Sequence, residues 1–539
     1  MNRPEGKYAW TATVGEKGQI VIPKQARELF GIKPGDTLLL LGDVERGITI
    51  VYITHFMEEA AAADRIVVMD QGHIVTQGTP HEIFSQTAAM RKLGLEVPVA
   101  AELVRRGHAV RFYSFEAFRE KIEAAGVEFV PCDSYLPPLS ERERAGLMKV
   151  STTGMTLQDI RVTLAMNDFL EAEFAEFKPD VVYSDAVCFW GKLNAWKHGV
   201  PLVVSTSTFA FNRLSSRYMK YSAGEMADMV LGLPKISRAL KGLEPYGYKV
   251  KSALALVQND NTTDSVVYTS RRVQPFAESF SDHYAFVGPS VFSRAVPDKG
   301  TGRPLVYIAL GTVINDRPDF YRKCIEALRG MDAEAVIACG DAVDISALGP
   351  LPENVRVTPR VDQPEVLARA SAFITHCGMN SASEGLYMAA PMLLYPQTGE
   401  QQAVARRVHE LGAGRYLKDD SAEGIRAALE ALLGDADCAR AAAECSADLR
   451  SCPGPAGAAD FIEAAPHAGS GVDPLKELDR RLAPWRWGYR LAVAAAVLGC
   501  RLALGSGCAW AVGIAAGVAS QPVMNVMQGR VYRRMGWEK

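Results

Sequence analysis

The residues best suited to chemistry lie close together near the carboxyl end of the chain. The run Ile374-Thr375-His376-Cys377-Gly378-Met379-Asn380-Ser381-Ala382-Ser383-Glu384-Gly385 ends an apolar stretch in histidine and then meets glycine. It predicts a strand ending at His376 and a tight turn at Gly378, where the backbone can approach closely. A helix is expected to open near Ser381, with Glu384 at capping-box spacing. The first amides of such a helix lack intrahelical partners and carry partial positive charge, which makes the turn a ready site for a diphosphate. A second strand-to-glycine turn, Leu310-Gly311-Thr312, could face the same anion. Pro396-Gln397-Thr398-Gly399-Glu400-Gln401 follows downstream and adds an acid and an amide. Alone, His376 reads as a strand-end residue and Glu384 as a cap; their spacing together with Glu400-Gln401 points to nucleotide binding.

The elements that must hold these residues follow from the hydrophobic pattern. Strands are expected at Ala109–Ser114, Asp180–Ser184, Pro201–Ser205, Ser265–Thr269, Pro304–Leu310, Ala333–Cys339, Ala372–His376 and Pro391–Tyr395. Helices are expected between them, at Glu116–Ala125, Tyr321–Leu328, Gln363–Ala370, Ser381–Met388 and Gln401–Leu411. Continuous apolar strands alternating with helices imply α/β architecture, with parallel sheets covered on both faces. Gly288–Pro304, rich in glycine, proline, serine and charge, reads as a linker between two such units.

With those elements in place, residues 103–465, about two-thirds of the chain, resemble the macrolide-type UDP-glycosyltransferases. The resemblance rests on Val104-Arg105-Arg106-Gly107-His108-Ala109-Val110, Ser184-Asp185, Leu310-Gly311-Thr312-Val313 and the block from His376 to Gln401. It implies the GT-B fold, two Rossmann-like domains facing a cleft: an acceptor domain at 103–290 and a donor domain at 303–465. It also implies that His376 and the amides from Gly378 onward hold the nucleotide diphosphate, with Asn380, Ser381, Gly311 and Thr312 beside the phosphates. Glu384 would bind ribose hydroxyls, and Glu400 and Gln401 hydroxyls of the donor sugar. The uracil pocket would lie around Arg360-Val361-Asp362-Gln363, with Val361 and Gln363 lining it. Arg360 and Asp362 depart from the family's apolar pattern there, and Arg360 could stack on a base through its guanidinium plane. The reaction implied is inverting transfer of a hexose from a UDP-sugar to a small, largely apolar hydroxylated acceptor, with no metal and no cofactor.

An acceptor hydroxyl is a weak nucleophile and needs a general base, in this family a histidine held by an aspartate. Asp185 matches the aspartate; its bland alternative is a helix cap. The histidine normally stands in a turn after the family's first strand, and both that strand and that turn are missing upstream of residue 103. His108 lies in the turn into the second strand and does not fill the role. Impaired transfer is therefore expected, unless Ile48–His55, an apolar stretch ending in histidine, occupies the vacant slot.

Residues 45–102 instead resemble the C-terminal end of an ABC-transporter ATPase, through Ile53-Thr54-His55-Phe56-Met57-Glu58-Glu59-Ala60, Ala63-Asp64-Arg65-Ile66-Val67-Val68-Met69 and Gly78-Thr79-Pro80. A hairpin is expected there around Asp70-Gln71-Gly72. No G-x-x-x-x-G-K-[ST] loop exists to cradle ATP, so the stretch reads as a fragment. Residues 1–44 resemble the AbrB-like swapped-hairpin DNA-binding regulators, through Glu16–Lys24, Ala26-Arg27 and Ile32–Asp36. That implies a homodimer whose Lys17, Lys24 and Arg27 contact DNA phosphates; a module that only dimerises is the plainer alternative. Short words shared at both joins, Glu45-Arg46-Gly47-Ile48 and Ala101-Glu102-Leu103, suggest a chimera, whether functional or not.

Composition bounds the rest. The 539 residues are 48% apolar and 22% charged with a net charge of −3, which excludes wholesale disorder and a chain devoted to polyanion binding. Ten scattered cysteines with no C-x-x-C pair exclude a disulfide scaffold and a zinc site of that type. The opening residues show no apolar leader, so a cytoplasmic location is expected. In the tail, 466–539, Trp485, Trp487 and Tyr489 with Arg480, Arg481, Arg486 and Arg490 precede the apolar run Leu491–Ala519, which Arg501 interrupts. Aromatics and cations beside an apolar run suit a membrane boundary, and a buried helical tail suits it equally.

Overall fold

The computed structural model describes residues 66–70, 73–78, 99–135, 152–250, 256, 261–291, 295–311, 315–467, 473–504 and 528–537. These fall into two compact units. The first holds 66–70, 73–78, 99–135, 295–296 and 455–459, and the second holds the rest.

In the first unit, β1 (Ile66–Asp70) and β2 (His73–Gly78) form the expected antiparallel hairpin. Helix α1 (Val99–Arg105), strand β3 (Arg111–Ser114), helix α2 (Arg119–Ala124) and strand β4 (Glu128–Pro131) follow, with β3 and β4 paired in parallel. Glu102, at one of the suspected joins, is buried on α1 and held by Arg105 Nε and Arg106 Nε, each at 3.0 Å. The hydrogen bond from Arg105, with help from Arg106, pulls its pKa down to about 2. Both partners lie three and four residues further on, so the buried carboxylate is satisfied within one helical turn.

The second unit contains two parallel sheets. Its amino-terminal half has helices α3 (Thr152–Ala165) and α4 (Asn167–Phe177), strand β5 (Val182–Asp185), helix α5 (Phe189–His198), strand β6 (Leu202–Thr206), helix α6 (Ala223–Lys241), and strands β7 (Asp264–Val267) and β8 (Tyr284–Phe286). The sheet order is β5-β6-β7-β8.

The carboxyl-terminal half runs β9 (Leu305–Ala309), α7 (Pro318–Leu328), β10 (Glu334–Ala338), β11 (Val355–Thr358), α8 (Gln363–Arg369), β12 (Ala370–Thr375) and α9 (Met379–Tyr387). It continues through β13 (Met392–Leu394), α10 (Gly399–Glu410), β14 (Gly414–Tyr416), α11 (Ala422–Leu433) and α12 (Ala436–Arg450). The six strands lie in the order β11-β10-β9-β12-β13-β14, all parallel. Every residue of β9 is buried, and Val306, Ile308, Ile337 and Ile374 share one core with Phe320, Leu328, Ile425 and Leu429 from the covering helices. The chain starts at β9 and runs outward to β11, then returns to β12 on the other side of β9. The order reverses at that pair. In open parallel sheets a crevice opens at the carboxyl ends of the strands where the order reverses. The residues just past β9 and β12 are the two glycine turns singled out above.

The tail forms α13 (Pro474–Leu504). Its Leu478 and Leu482 pack with Leu214, Val531, Tyr532 and Trp537, and Arg213 pairs with Asp479 at 2.7 Å. Among the described residues no helix is long and apolar enough to cross a membrane.

Candidate active site

Strand β12 delivers His376, as expected, but the turn after it is built differently from the expectation. The left-handed residue is Cys377, with φ 63°, whereas Gly378 has an ordinary φ of −61° and serves as the N-cap of α9. The helix opens at Met379, so Ser381 lies inside its first turn and Glu384 is not a capping acid. The capping box read from the Ser381–Glu384 spacing is thereby corrected. No side chain caps this helix, in contrast to α8, α10, α11 and α12, which Asp362, Thr398, Ser421 and Asp435 cap. A glycine cap leaves the first amides of α9 without a side-chain acceptor.

The glycines matter through the imidazole between them. At Gly311, φ +78°, a Cβ would stand 2.5 Å from His376 Cε1; at Gly378 a Cβ would collide with His376 Nε2. The ring is thus flanked by the turn after β9 and the turn after β12. Its Nδ1 is buried without a hydrogen-bond partner. Burial pushes the His376 pKa down and the Ala309 carbonyl opposes that shift, so the ring is neutral at neutral pH.

Three elements meet beside it. Tyr307 OH, from β9, donates to Gln363 Oε1 at 2.9 Å. Gln363 Nε2, from the start of α8, donates to Glu384 Oε2 at 2.6 Å and to Ser381 Oγ at 3.3 Å. Burial raises the pKa of Glu384, with Gln363 opposing and Asp362 adding to the rise. Glu400, at the start of α10, is also raised by burial.

A cleft of about 940 Å³ unites these groups. Gly311, Val361, Gln363, His376, Gly378, Asn380, Ser381, Glu384 and Glu400 all line it, joined by Ser207 and Thr208 after β6. Arg360 lines it as well, tied to Asp341 at 2.9 Å through its Nε. Gln401 does not line it: its Oε1 accepts from the amides of Gln397 (2.7 Å) and Thr398 (3.1 Å), closing a capping box at the start of α10. Asp185 is exposed at the end of β5, is not in the cleft lining, and accepts from the Val187 amide at 2.9 Å. Among the described residues no histidine bonds to it. Thr312, His55 and the DNA-contact candidates Lys17, Lys24 and Arg27 lie outside the described residues. No cluster of metal-ligating side chains occurs among the described residues.

Sequence reasoning missed Tyr307, Asn315 and Arg317. Asn315, a polar residue four positions past Gly311, lines the cleft and is buried. Arg317 donates to Gln397 Oε1 at 2.9 Å and Tyr395 OH at 3.2 Å, steadying the loop before Glu400. For Asn315 and Arg317 the available signal was polar residues in the loop that follows an apolar strand; Tyr307, inside β9, gave none.

Comparison with known proteins identifies the family. Residues 322–465 match the family described as erythromycin biosynthesis protein CIII-like, C-terminal domain. The NDP-glycosyltransferase YjiC of Bacillus licheniformis is 33% identical over 379 residues, covering 68% of this chain and 92% of that protein. Demethyllactenocin mycarosyltransferase of Streptomyces fradiae is 30% identical over 382 residues, covering 68% and 82%. The crystal structure of the calicheamicin glycosyltransferase CalG4 superposes with a TM-score of 0.56 at 29% identity, over 69% of this chain and 94% of that one. Residues 11–53 match the MazE antitoxin family, described as antidote-toxin recognition. A further 57 residues are 63% identical to the energy-coupling factor transporter ATP-binding protein EcfA1 of Clostridium novyi, over 20% of that protein. The fragment reading of the ATPase-like stretch and the regulator-like start therefore both have relatives. A crevice at the strand-order reversal, an imidazole between two glycine turns and relatives matched over nearly their whole length lead to one conclusion: this chain belongs to the macrolide-type glycosyltransferases, enzymes of GT-B fold that use a sugar nucleotide as donor and need no cofactor.

Proposed function

We propose that the chain binds a UDP-sugar in the cleft at His376 and transfers its hexose, with inversion, to a hydroxyl of a small apolar acceptor, slowly because the usual base is missing. The observation that carries this reading is the His376 imidazole between Gly311 and Gly378, at the uncapped start of α9. The acceptor oxygen forms a bond to the anomeric carbon as the bond to the diphosphate oxygen breaks, and the electron pair leaves with the nucleotide. The α9 amides and the neutral imidazole stabilise the departing charge by hydrogen bonding. Glu384, oriented by Gln363, takes the ribose hydroxyls, and Glu400 those of the sugar. Val361 and Gln363 flank the base.

The acceptor proton is the weak point. Asp185 stands at the carboxyl end of β5 with no histidine beside it among the described residues. A carboxylate alone is a poor base for an alcohol. Incubation of the full chain with UDP-glucose and a panel of apolar phenols tests the reading. Slow formation of a β-glucoside from the α-linked donor supports it; an α-glucoside, or turnover as fast as an intact relative's, contradicts inversion or impairment respectively.

The match of residues 11–53 to an antitoxin family favours a second reading for the amino terminus: DNA binding by a dimer through Lys17, Lys24 and Arg27. A salt-dependent gel shift that Lys24→Ala with Arg27→Ala abolishes supports it, and an unaltered shift rejects those contacts.

A further inference from the structure

We infer that Asn315 is a positioning residue of the donor site: its side-chain amide clamps the Gly311 turn and thereby sets where the His376 imidazole meets a nucleoside diphosphate. The inference rests on the donor-site reading above. Asn315 is only 9% exposed, and its Nδ2 donates to the Gly311 carbonyl at 2.9 Å. Gly311 is the turn residue whose missing side chain makes room for the His376 ring. The same amide nitrogen fills space that Gly340 leaves open, since a Cβ there would collide with it. Gly340, φ +78°, stands two residues past the end of β10 as Gly311 does past the end of β9. One side chain is therefore wedged between two glycine turns, and all three residues line the cleft.

The dependence of His376 on this wedge follows from what else holds it. Nδ1 has no hydrogen-bond partner, so beyond the pull of the Ala309 carbonyl the ring is held by packing against the Gly311 and Gly378 turns. A group located by packing is only as fixed as the wall it leans on. Removing the amide leaves the Gly311 carbonyl without its donor and frees the turn to shift toward or away from the ring.

The test is a double-mutant cycle read by UDP titration calorimetry on the full chain. Asn315→Ala, and Asn315→Leu, which keeps much of the volume without charge but loses the donor, are expected to weaken UDP binding about tenfold. In a His376→Ala background Asn315→Ala is expected to cost less than about twofold, because the group it positions is gone. A full loss in both backgrounds would mean that Asn315 touches the nucleotide directly, and wild-type affinity in both variants would mean that it does neither; either result overturns the inference. Ligand-free spectra of 13C-histidine-labelled protein give a second readout. The His376 resonance, assigned by its absence in His376→Gln, is expected to move in Asn315→Leu, and an unmoved resonance contradicts the clamp. Failure of the wild-type chain to bind UDP would defeat the donor-site reading instead, and the resonance test would still judge the clamp.

Discussion

Two glycines with no chemistry of their own decide where the imidazole of His376 stands. Gly311→Ala puts a methyl group 2.5 Å from the ring and also forces an L-residue into left-handed backbone, a penalty of about 1–2 kcal/mol by itself. Gly378→Ala has ordinary backbone but the same collision. Both variants are expected to lose at least about tenfold in UDP affinity by calorimetry, whereas only Gly311→Ala should also melt clearly lower. Glu400 allows a pH test. Its folded pKa is raised by burial, so the folded state holds its proton to higher pH than the unfolded chain does. Stability from this group is then present below the unfolded pKa and is lost as pH rises through the folded one. Glu400→Gln removes that loss. The variant is expected to melt higher than the wild type at pH 7.5, with the gap closing as pH falls into the ordinary glutamate range. The same variant should bind UDP normally and UDP-glucose more weakly; equal binding of both would remove Glu400 from the sugar site.

Among the elements, helix caps divide structural from functional ends. Gln401 reads from sequence as a sugar ligand, yet its carbonyl oxygen is spent on two backbone amides at the head of α10. Gln401→Ala is expected to cost about 1 kcal/mol, seen as a melting point lower by about 2–4 °C, and to leave UDP affinity within about twofold. A large loss of UDP affinity would return Gln401 to the site. The central strands β9, β10, β12 and β13 and the turns after β9 and β12 were legible in the sequence, because continuous apolar runs ending in glycine or histidine leave few alternatives. Strands β4, β8, β11 and β14 were not. Each lies at the edge of its sheet and is three or four residues long, so half or more of its residues escape burial. The Glu384–Gln363 pair was also hidden as a contact: the partners sit on different helices, and only the fold brings α8 beside α9. The start of α9 was misread because Ser381 and Glu384 satisfy a capping pattern two residues inside a helix that a glycine opens.

At the scale of the whole molecule, the proposal sets a donor half whose cleft residues are in place beside an acceptor half whose usual base has no counterpart in the sequence. Binding and turnover should therefore come apart: UDP binds, while transfer stays far below that of intact relatives. The ATPase-like segment carries no phosphate loop, so ATP is expected neither to bind tightly nor to be hydrolysed; ATPase activity that survives repurification would contradict the fragment reading. The proposed sugar transfer depends on a grip on the pyrophosphate at the head of α9. Titration of UDP into the full chain and into His376→Ala, followed by calorimetry, addresses that grip directly. Saturable one-to-one binding, weakened about tenfold or more by the substitution and nearly absent for uridine, is the predicted result. No binding, or binding that the loss of the imidazole leaves untouched, would contradict it.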